Sequence, residues 1–183
     1  MASSFVERVV GAAKLDVNTY EEVEADTSAL GQAMAVVVMA SVAAGIGSLR
    51  DGGFMGLLMA TIGALIGWFI WAGLTYLIGT KLLPEPQTEA DMGEMLRTIG
   101  FASSPGLLRV LGILPFVGPL VWLITSIWML LTFVVAVRQA LDYESTGRAV
   151  AVCLIGFVVN LAIGFALALV WGAGAGIMGA ATP

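Results

Sequence analysis

The chain has 183 residues, of which 59% are hydrophobic and 11% are charged, and its formal net charge is −5. Soluble domains are about 45–50% apolar and about 25% charged, so this composition excludes an ordinary soluble domain and predicts an all-α, polytopic membrane helix bundle. Histidine is absent, and the single cysteine, Cys153, lies within an apolar run. The sequence therefore offers no intrachain disulfide, no metal or cofactor ligand set and no catalytic group, and its acidic charge disfavours nucleic acid as a partner.

Residues 1–28 form the polar segment before the first apolar run, and we expect them to be cytosolic, without a cleavable signal peptide. Ser4 and Glu7 have the spacing of a capping box at the start of a short amphipathic helix. Thr19 and Glu22 repeat that spacing and predict a second helix. The acidic residues of this second helix are Glu21, Glu22, Glu24 and Asp26. They form either a docking surface for a basic partner or a solvated acidic turn, and we favour the second interpretation.

Four segments are free of charged residues over a length that can cross a bilayer, which takes about 20 residues of helix. They are residues 29–49, 54–79, 117–137 and 149–171. The longest of them, residues 54–79, would measure about 39 Å as a helix, so we expect it to tilt or to emerge from the hydrocarbon. The predicted membrane domain covers residues 29–171 and is followed by a small-residue tail, residues 172–183.

The segment between the second and third of these runs is harder to place, because residues 95–113 are apolar but carry arginines and a proline. We predict that residues 95–113 form a further span, with Thr88 as the cap of the helix that leads into it. Pro105 would kink this span, since neighbouring helices or hydroxyls can satisfy the carbonyl that a proline leaves free. Arg109 would extend toward the membrane surface. Residues 113–119 would then close a tight hairpin.

Positive charges favour five spans over four. With five spans and an internal amino terminus, six basic residues lie inside and two lie outside. The internal ones are Arg8, Lys14, Lys81, Arg97, Arg138 and Arg148, and the external ones are Arg50 and Arg109. If residues 95–113 do not span, the count becomes five inside and three outside. Because internal loops carry the excess of Lys and Arg, we expect five spans, with the amino terminus cytosolic and the carboxyl terminus outside.

Small residues recur at helical spacing in two of the predicted spans. Gly156, Asn160 and Gly164 form a row in the last span, and Gly63 and Gly67 form a GxxxG motif in the second. Helices in lipid approach each other closely where such residues meet. We interpret both rows as contacts within the bundle, with contacts to a second copy or to another membrane protein as the alternative.

Arg109 is also the ionisable residue predicted to lie nearest the membrane interior. Asp51 would lie on the same outer side in the five-span arrangement and is a candidate partner. This pair would fix the first hairpin against the third span, which makes Arg109, like Pro105, a structural residue in this interpretation.

Three stretches resemble the Yip family of Rab-interacting multi-pass membrane proteins, in its bacterial and archaeal branch. They are YEEVEAD at residues 20–26, LRTIGFASSP at residues 96–105 and the apolar run over residues 114–142. The resemblance implies five membrane helices, a cytosolic amino terminus and a carboxyl terminus across the membrane. Eukaryotic relatives are associated with Rab GTPases and vesicle traffic, but the Asp-Leu-Tyr-Gly-Pro motif of their cytosolic domain is missing here. The resemblance therefore does not imply Rab binding.

These features together predict a non-enzymatic integral membrane protein that acts through helix–helix or partner contacts, as an accessory or scaffold subunit or in membrane organisation. The alternative is a small oligomeric transporter or channel. Its expected partners are the lipid bilayer and either other membrane proteins or further copies of itself. Because the chain is rich in Ala, Gly and Val and poor in Lys, we expect it in a bacterial cytoplasmic membrane.

Overall fold

The computed structural model describes the backbone of residues 3–47, 49–114 and 116–180, and the side chains among them except at 49–52, 164 and 166–180. Within these residues all regular secondary structure is helical, and there is no β-strand. The helices are α1 (Phe5–Ala13), α2 (Val17–Ala25), α3 (Leu30–Gly47), α4 (Leu49–Leu77), α5 (Met92–Ala102), α6 (Gly118–Ala140) and α7 (Thr146–Ala180). Shorter 3₁₀ turns cover Thr27–Ala29 and Ser104–Ile113, and a π-helical turn covers Ile78–Leu82. The predicted all-α membrane bundle is confirmed.

Among the described residues, four helical stretches are long and apolar enough to cross a membrane. They are Thr27–Gly47, Gly53–Leu82, Gly118–Ala140 and Thr146–Ile163. Each coincides with one of the four charge-free segments of the sequence. The break predicted between the first two lies at Gly53, whose φ of 58° is incompatible with helix and is readily adopted only by glycine.

Residues 95–113 do not form one continuous helix. α5 ends at Ala102, and the chain continues as a 3₁₀ helix over Ser104–Ile113 with Pro105 in its first turn. Proline has no amide hydrogen and clashes with the preceding α-helical turn, which explains the change of helix type at this point. The predicted cap at Thr88 is wrong, because Asp91 caps α5 and forms a capping box with Glu94.

The α5 and 3₁₀ pieces together run along α3 in the same direction. Gly100 packs on Ala33, Gly106 on Ala40 and Gly112 on Gly47, so successive contacts advance along both segments. The two segments therefore cover the same distance through the bundle from Ala33 to Gly47, which is about 21 Å at 1.5 Å per residue. That this segment crosses the membrane stays a prediction.

α6 returns antiparallel to the same segment. The Thr132 hydroxyl donates to the carbonyl of Ala102 at 2.7 Å, and farther along Arg109 Nε donates to the hydroxyl of Thr125 at 3.2 Å. A Cβ on Gly118, at the start of α6, would lie 3.2 Å from the carbonyl of Gly112, which places the two arms of the hairpin close together.

The two amino-terminal helices pack against α5 and α6. The predicted capping box of Ser4 and Glu7 is present at the start of α1. The second predicted capping box is wrong, because Asp16 caps α2 and Thr19 is a buried residue inside it. Trp128 Nε1 of α6 donates to the carbonyl of Ala13 at 2.7 Å, which anchors the end of α1 on the bundle.

The bundle has two distinct ends. The near end carries α2, residues 83–91 and the turn after α6. Arg148 on Glu85 and the Tyr143 hydroxyl on the carbonyls of Gly79 and Leu83 join the second of these to the third. The far end carries Gly47 and the turn between α6 and the 3₁₀ helix. Successive long elements therefore alternate in direction, as the five-span prediction requires.

Candidate functional site

The acidic residues predicted as a docking surface are engaged within the chain. Arg8 is buried, with 3% of its side chain exposed, and its Nη2 pairs with Glu22 at 2.9 Å and with Asp26 at 2.8 Å. Ser3 donates two hydrogen bonds to Glu22, and these contacts, with those of Arg8, lower the pKa of the Glu22 carboxyl. Hydrogen bonds from Ser28 and then from Arg8 lower the pKa of Asp26 in the same way.

The other two acidic residues of α2 point elsewhere. Glu21 accepts a hydrogen bond from the Gln139 side chain of α6. Glu24 is half-buried, one of its oxygens has no hydrogen-bond partner among the described residues, and burial raises its pKa to about 8. The charges of Glu21 and Asp142 act in the same direction as burial. Glu22 and Asp26 are thus held together by their shared partner Arg8, and the four carboxylates do not form one free surface.

Arg97 is an important residue that the sequence interpretation treated only as one of the six internal positive charges. It is 5% exposed, and its guanidinium donates to the carbonyls of Val23 and Glu24 at the end of α2. A cation at a helix carboxyl terminus satisfies free carbonyls and matches the helix dipole. The available signal was an arginine in an otherwise apolar helix, but no pattern in the sequence indicates which carbonyls it binds.

Arg109 lies toward the far end, and its described partners are on α6. Its Nε and Nη2 donate to the hydroxyls of Thr125 and Ser126 at 3.2 and 3.1 Å. Its guanidinium also stacks 4.2 Å from the ring of Trp122. The predicted partner Asp51 lies outside the described side chains, and no carboxylate among the described residues contacts Arg109.

The predicted glycine rows differ in their surroundings. A Cβ on Gly63 or Gly67 would meet nothing within 4 Å, so neither makes a close helix contact. Gly156 does, since a Cβ there would lie 3.5 Å from the Trp71 ring. Asn160 is exposed in α7 and has no hydrogen bond to the described residues, and Gly164 lies outside the residues whose surroundings are described.

The closest helix contacts use other glycines. A Cβ on Gly100 would lie 2.7 Å from the Cβ of Ala33, and one on Gly47 or Gly79 would overlap the carbonyl of Arg109 or the side chain of Leu141. These contacts join α3 to α5, α3 to the 3₁₀ helix, and the end of the second long helix to the turn after α6. Gly79 and Gly100 belong to neither of the two predicted rows.

A cavity of about 550 Å³ lies within the bundle, bounded by α3, α4, the α5 and 3₁₀ segment, α6 and α7. Its walls are mainly apolar, and its polar wall residues are Ser41, Ser103, Arg109 and Asn160. Trp71 also lines it, and the indole Nε1 of Trp71 is buried without a hydrogen-bond partner among the described residues. It is the concave space in which Arg109 and the apolar helix faces meet.

Comparison with known protein families identifies the chain. Residues 17–178 match the Yip1 domain, which is most of the sequence. The chain belongs to the Yip1 family. This confirms the resemblance to the Yip family found in the sequence, and the matched region covers α2 to α6 and α7 as far as residue 178. Comparisons with curated proteins and with solved structures found no match.

Membership of the family and the four long apolar helices make this Yip1 protein an integral, multi-pass membrane protein. The Yip1 family is not an enzyme family. Among the described residues no three His, Cys, Asp or Glu side chains are grouped so that they could hold a metal ion. The structure provides a set of contacts that hold the amino-terminal helices on the bundle. It also provides a cavity among the membrane helices whose wall includes one cationic side chain, that of Arg109.

Proposed function

We propose that this Yip1 protein is a non-enzymatic scaffold or accessory subunit that acts by contact with other helices in the membrane plane. The observation that supports this role is the open face of α4. Within the span Gly53–Leu82 only 11% of the most apolar stretch is buried, and a Cβ on Gly63 would meet nothing within 4 Å. Small residues on an uncovered membrane helix permit close approach of a second helix.

The proposal includes five crossings, with residues 95–113 as the third, the amino terminus in the cytosol and the carboxyl terminus outside. Support comes from the alternating directions of the long elements and from the six basic residues inside in that arrangement. A reporter that is active on one side only, fused to each terminus in turn, tests this arrangement. If both fusions are active, or if both are inactive, the two termini lie on the same side of the bacterial cytoplasmic membrane. Either result contradicts the arrangement.

Photo-crosslinking tests the contact itself. A photoreactive residue at Met59, one turn from Gly63 and 60% exposed, should form a discrete adduct in native membranes. The matched control is Phe165 of α7, which is 68% exposed and should label lipid without a discrete protein adduct. A second copy gives an adduct of twice the chain mass, and another membrane protein gives a different mass. Equal, diffuse labelling at both positions contradicts the proposal.

A small transporter is the second candidate function, and the cavity with Arg109 and Asn160 in its wall is what favours it. Flux of a small anion into liposomes that contain only the purified protein would support transport. Partner-specific crosslinking at Met59 without flux would support the scaffold role.

A further inference from the structure

The cavity has the dimensions and lining of a ligand site. Its volume of about 550 Å³ falls within the range of about 300–1,000 Å³ that is usual for small-molecule pockets, which are also mostly apolar with a few polar groups. The apolar lining comes from α3, α4, α6 and α7, so an occupant would be held between elements that are far apart in the sequence.

The cavity opens sideways to the surroundings of the bundle. Two large residues in its wall, Leu130 of α6 and Phe157 of α7, are 57% and 51% exposed. Gly67 of α4 also lines it and has no atom within 4 Å of the position of a Cβ. All three lie well inside helices that can cross a membrane, so the opening faces hydrocarbon. An occupant would therefore enter from the bilayer.

Arg109 supplies the cavity with a positive charge toward its far end. The hydroxyls of Thr125 and Ser126 accept hydrogen bonds from Nε and Nη2, which fixes the guanidinium without neutralising it. No described carboxylate contacts it. Ionisable residues at membrane depth are costly and generally pair with an opposite charge or mark a ligand pathway. The chemistry at this point is complementary to an anion.

A hydrogen-bond donor on α7, the Asn160 amide, also lines the cavity, at about the depth of Ala44 in the α3 wall. Asn160 is fourteen residues after the first residue of α7, and Ala44 of the cavity wall is fourteen residues after the first residue of α3. Both are therefore about 21 Å from the near ends of their helices. The Asn160 amide has no hydrogen bond to the described residues and so can donate to an ester carbonyl.

From these observations we propose that the cavity is a binding site for one anionic phospholipid of the far-end leaflet. The phosphate pairs with Arg109, an ester carbonyl accepts from Asn160, and one acyl chain enters between α4, α6 and α7. The site does not depend on the proposed scaffold role, because Met59 and Gly63, which carry that proposal, are not among the residues that line the cavity.

Native mass spectrometry of the purified, delipidated protein tests the proposal. The protein in mild detergent is titrated with phosphatidylglycerol and, separately, with phosphatidylcholine carrying the same chains. We expect one phosphatidylglycerol to bind about tenfold or more tightly than phosphatidylcholine, because the choline ammonium of phosphatidylcholine offsets the phosphate charge and repels the Arg109 guanidinium. Equal affinities of the two lipids would overturn the proposal. Inorganic phosphate that competes with an affinity equal to that of the lipid would overturn it too, because the acyl chains would then contribute nothing to the binding free energy.

Two matched pairs of variants locate the site. Arg109→Gln should abolish the preference for phosphatidylglycerol, Arg109→Lys should keep part of it, and the control Lys81→Gln should keep it all. Gly67→Leu places a side chain in the cavity and should weaken binding of both lipids about tenfold, whereas Gly63→Leu should not. Lipid preference retained by a folded Arg109→Gln protein, or equal loss in the two leucine variants, would overturn the assignment. Arg109→Lys and Gly67→Leu keep the test valid if Arg109→Gln does not fold.

Discussion

α5 and α4 are both apolar helices of one membrane domain, yet their surroundings are opposite. Every residue from 95 to 106 is buried, whereas 11% of the most apolar stretch of the span Gly53–Leu82 is buried. α5 is also the less apolar of the two, since Glu94 and Arg97 lie within its 11 residues, whereas residues 54–77 of α4 carry no charge. Apolar residues in a bilayer gain little from burial against protein, so the close contacts of small residues and the polar groups that find partners distinguish the centre of the bundle, where large apolar side chains such as Phe101 are also buried.

The largest effect should come from adding volume to the centre. Gly100→Leu would force α5 away from Ala33, because even a Cβ there lies 2.7 Å from the Cβ of Ala33. We expect a loss of about 3 kcal/mol in the free energy of unfolding, the upper part of the usual range for overpacking. Unfolding by SDS titration measures it. Gly63→Leu on α4 is the control and should change stability little, so equal losses would contradict the contrast between the helices.

The next effect tests the polar contacts of α5. Arg97→Gln removes the guanidinium that binds the carbonyls of Val23 and Glu24, at a cost of about 1.5–3 kcal/mol for hydrogen bonds to a charged group. We expect faster amide hydrogen exchange at the end of α2 in this variant. Lys14→Gln removes an exposed charge from the connection between α1 and α2 and is the control. Unchanged exchange in α2 of Arg97→Gln would show that the contact does not hold the helix.

A smaller effect separates contacts between helices from contacts within one. Thr132→Val removes the hydroxyl that donates across to Ala102, and about 0.6–1.7 kcal/mol is typical of such a bond in a membrane protein. Thr61→Val is the matched control, because the Thr61 hydroxyl donates to Leu57 of its own helix. The free energy of unfolding of both variants is measured in the same SDS titration. A larger loss for Thr61→Val than for Thr132→Val would contradict the greater contribution of the contact between helices.

The smallest expected effect concerns pH at the junction of α2 and α5, because Glu24 is only partly buried there and solvent screens its charge. Burial raises the pKa of Glu24 from 4.5 to about 8, so the folded protein holds a proton that the unfolded chain releases. The contribution of Glu24 to stability is therefore fully present below about pH 4.5 and is lost as pH rises to about 8. Thermal unfolding at pH 5.5 and pH 8 should show this decrease in the wild type and a smaller one in Glu24→Gln.

The opposite behaviour of Glu22 makes this prediction specific. Its pKa is lowered, so its contribution is present above its ordinary value and is lost as pH falls below that value. The span from Phe54 to Thr80 carries no acidic or basic residue, so we expect no contribution from it in either range. A pH profile identical in wild type and Glu24→Gln would contradict the role of Glu24.

The candidate site was only partly predictable. Arg109 was identified from its charge within an apolar run, but its partners Thr125 and Ser126 and the cavity beside it depend on how α6 folds back. The glycine rows at Gly63 and Gly156 were visible as patterns, yet one faces open space and the other touches Trp71. A period-four row shows that a helix could be approached closely, and it does not show by what.

The sequence by itself determined the environment and the main elements. The excess of apolar residues requires a membrane, and four runs without charge became the four long helices, because backbone groups in lipid must be bonded within one segment. The capping box at Ser4 was equally readable, since it needs only residues three apart. The tertiary structure alone decided which helix lies at the centre, which carbonyls Arg97 binds and where the cavity opens. These depend on contacts between distant segments that are similarly apolar, and hydropathy does not distinguish a lipid neighbour from a protein one.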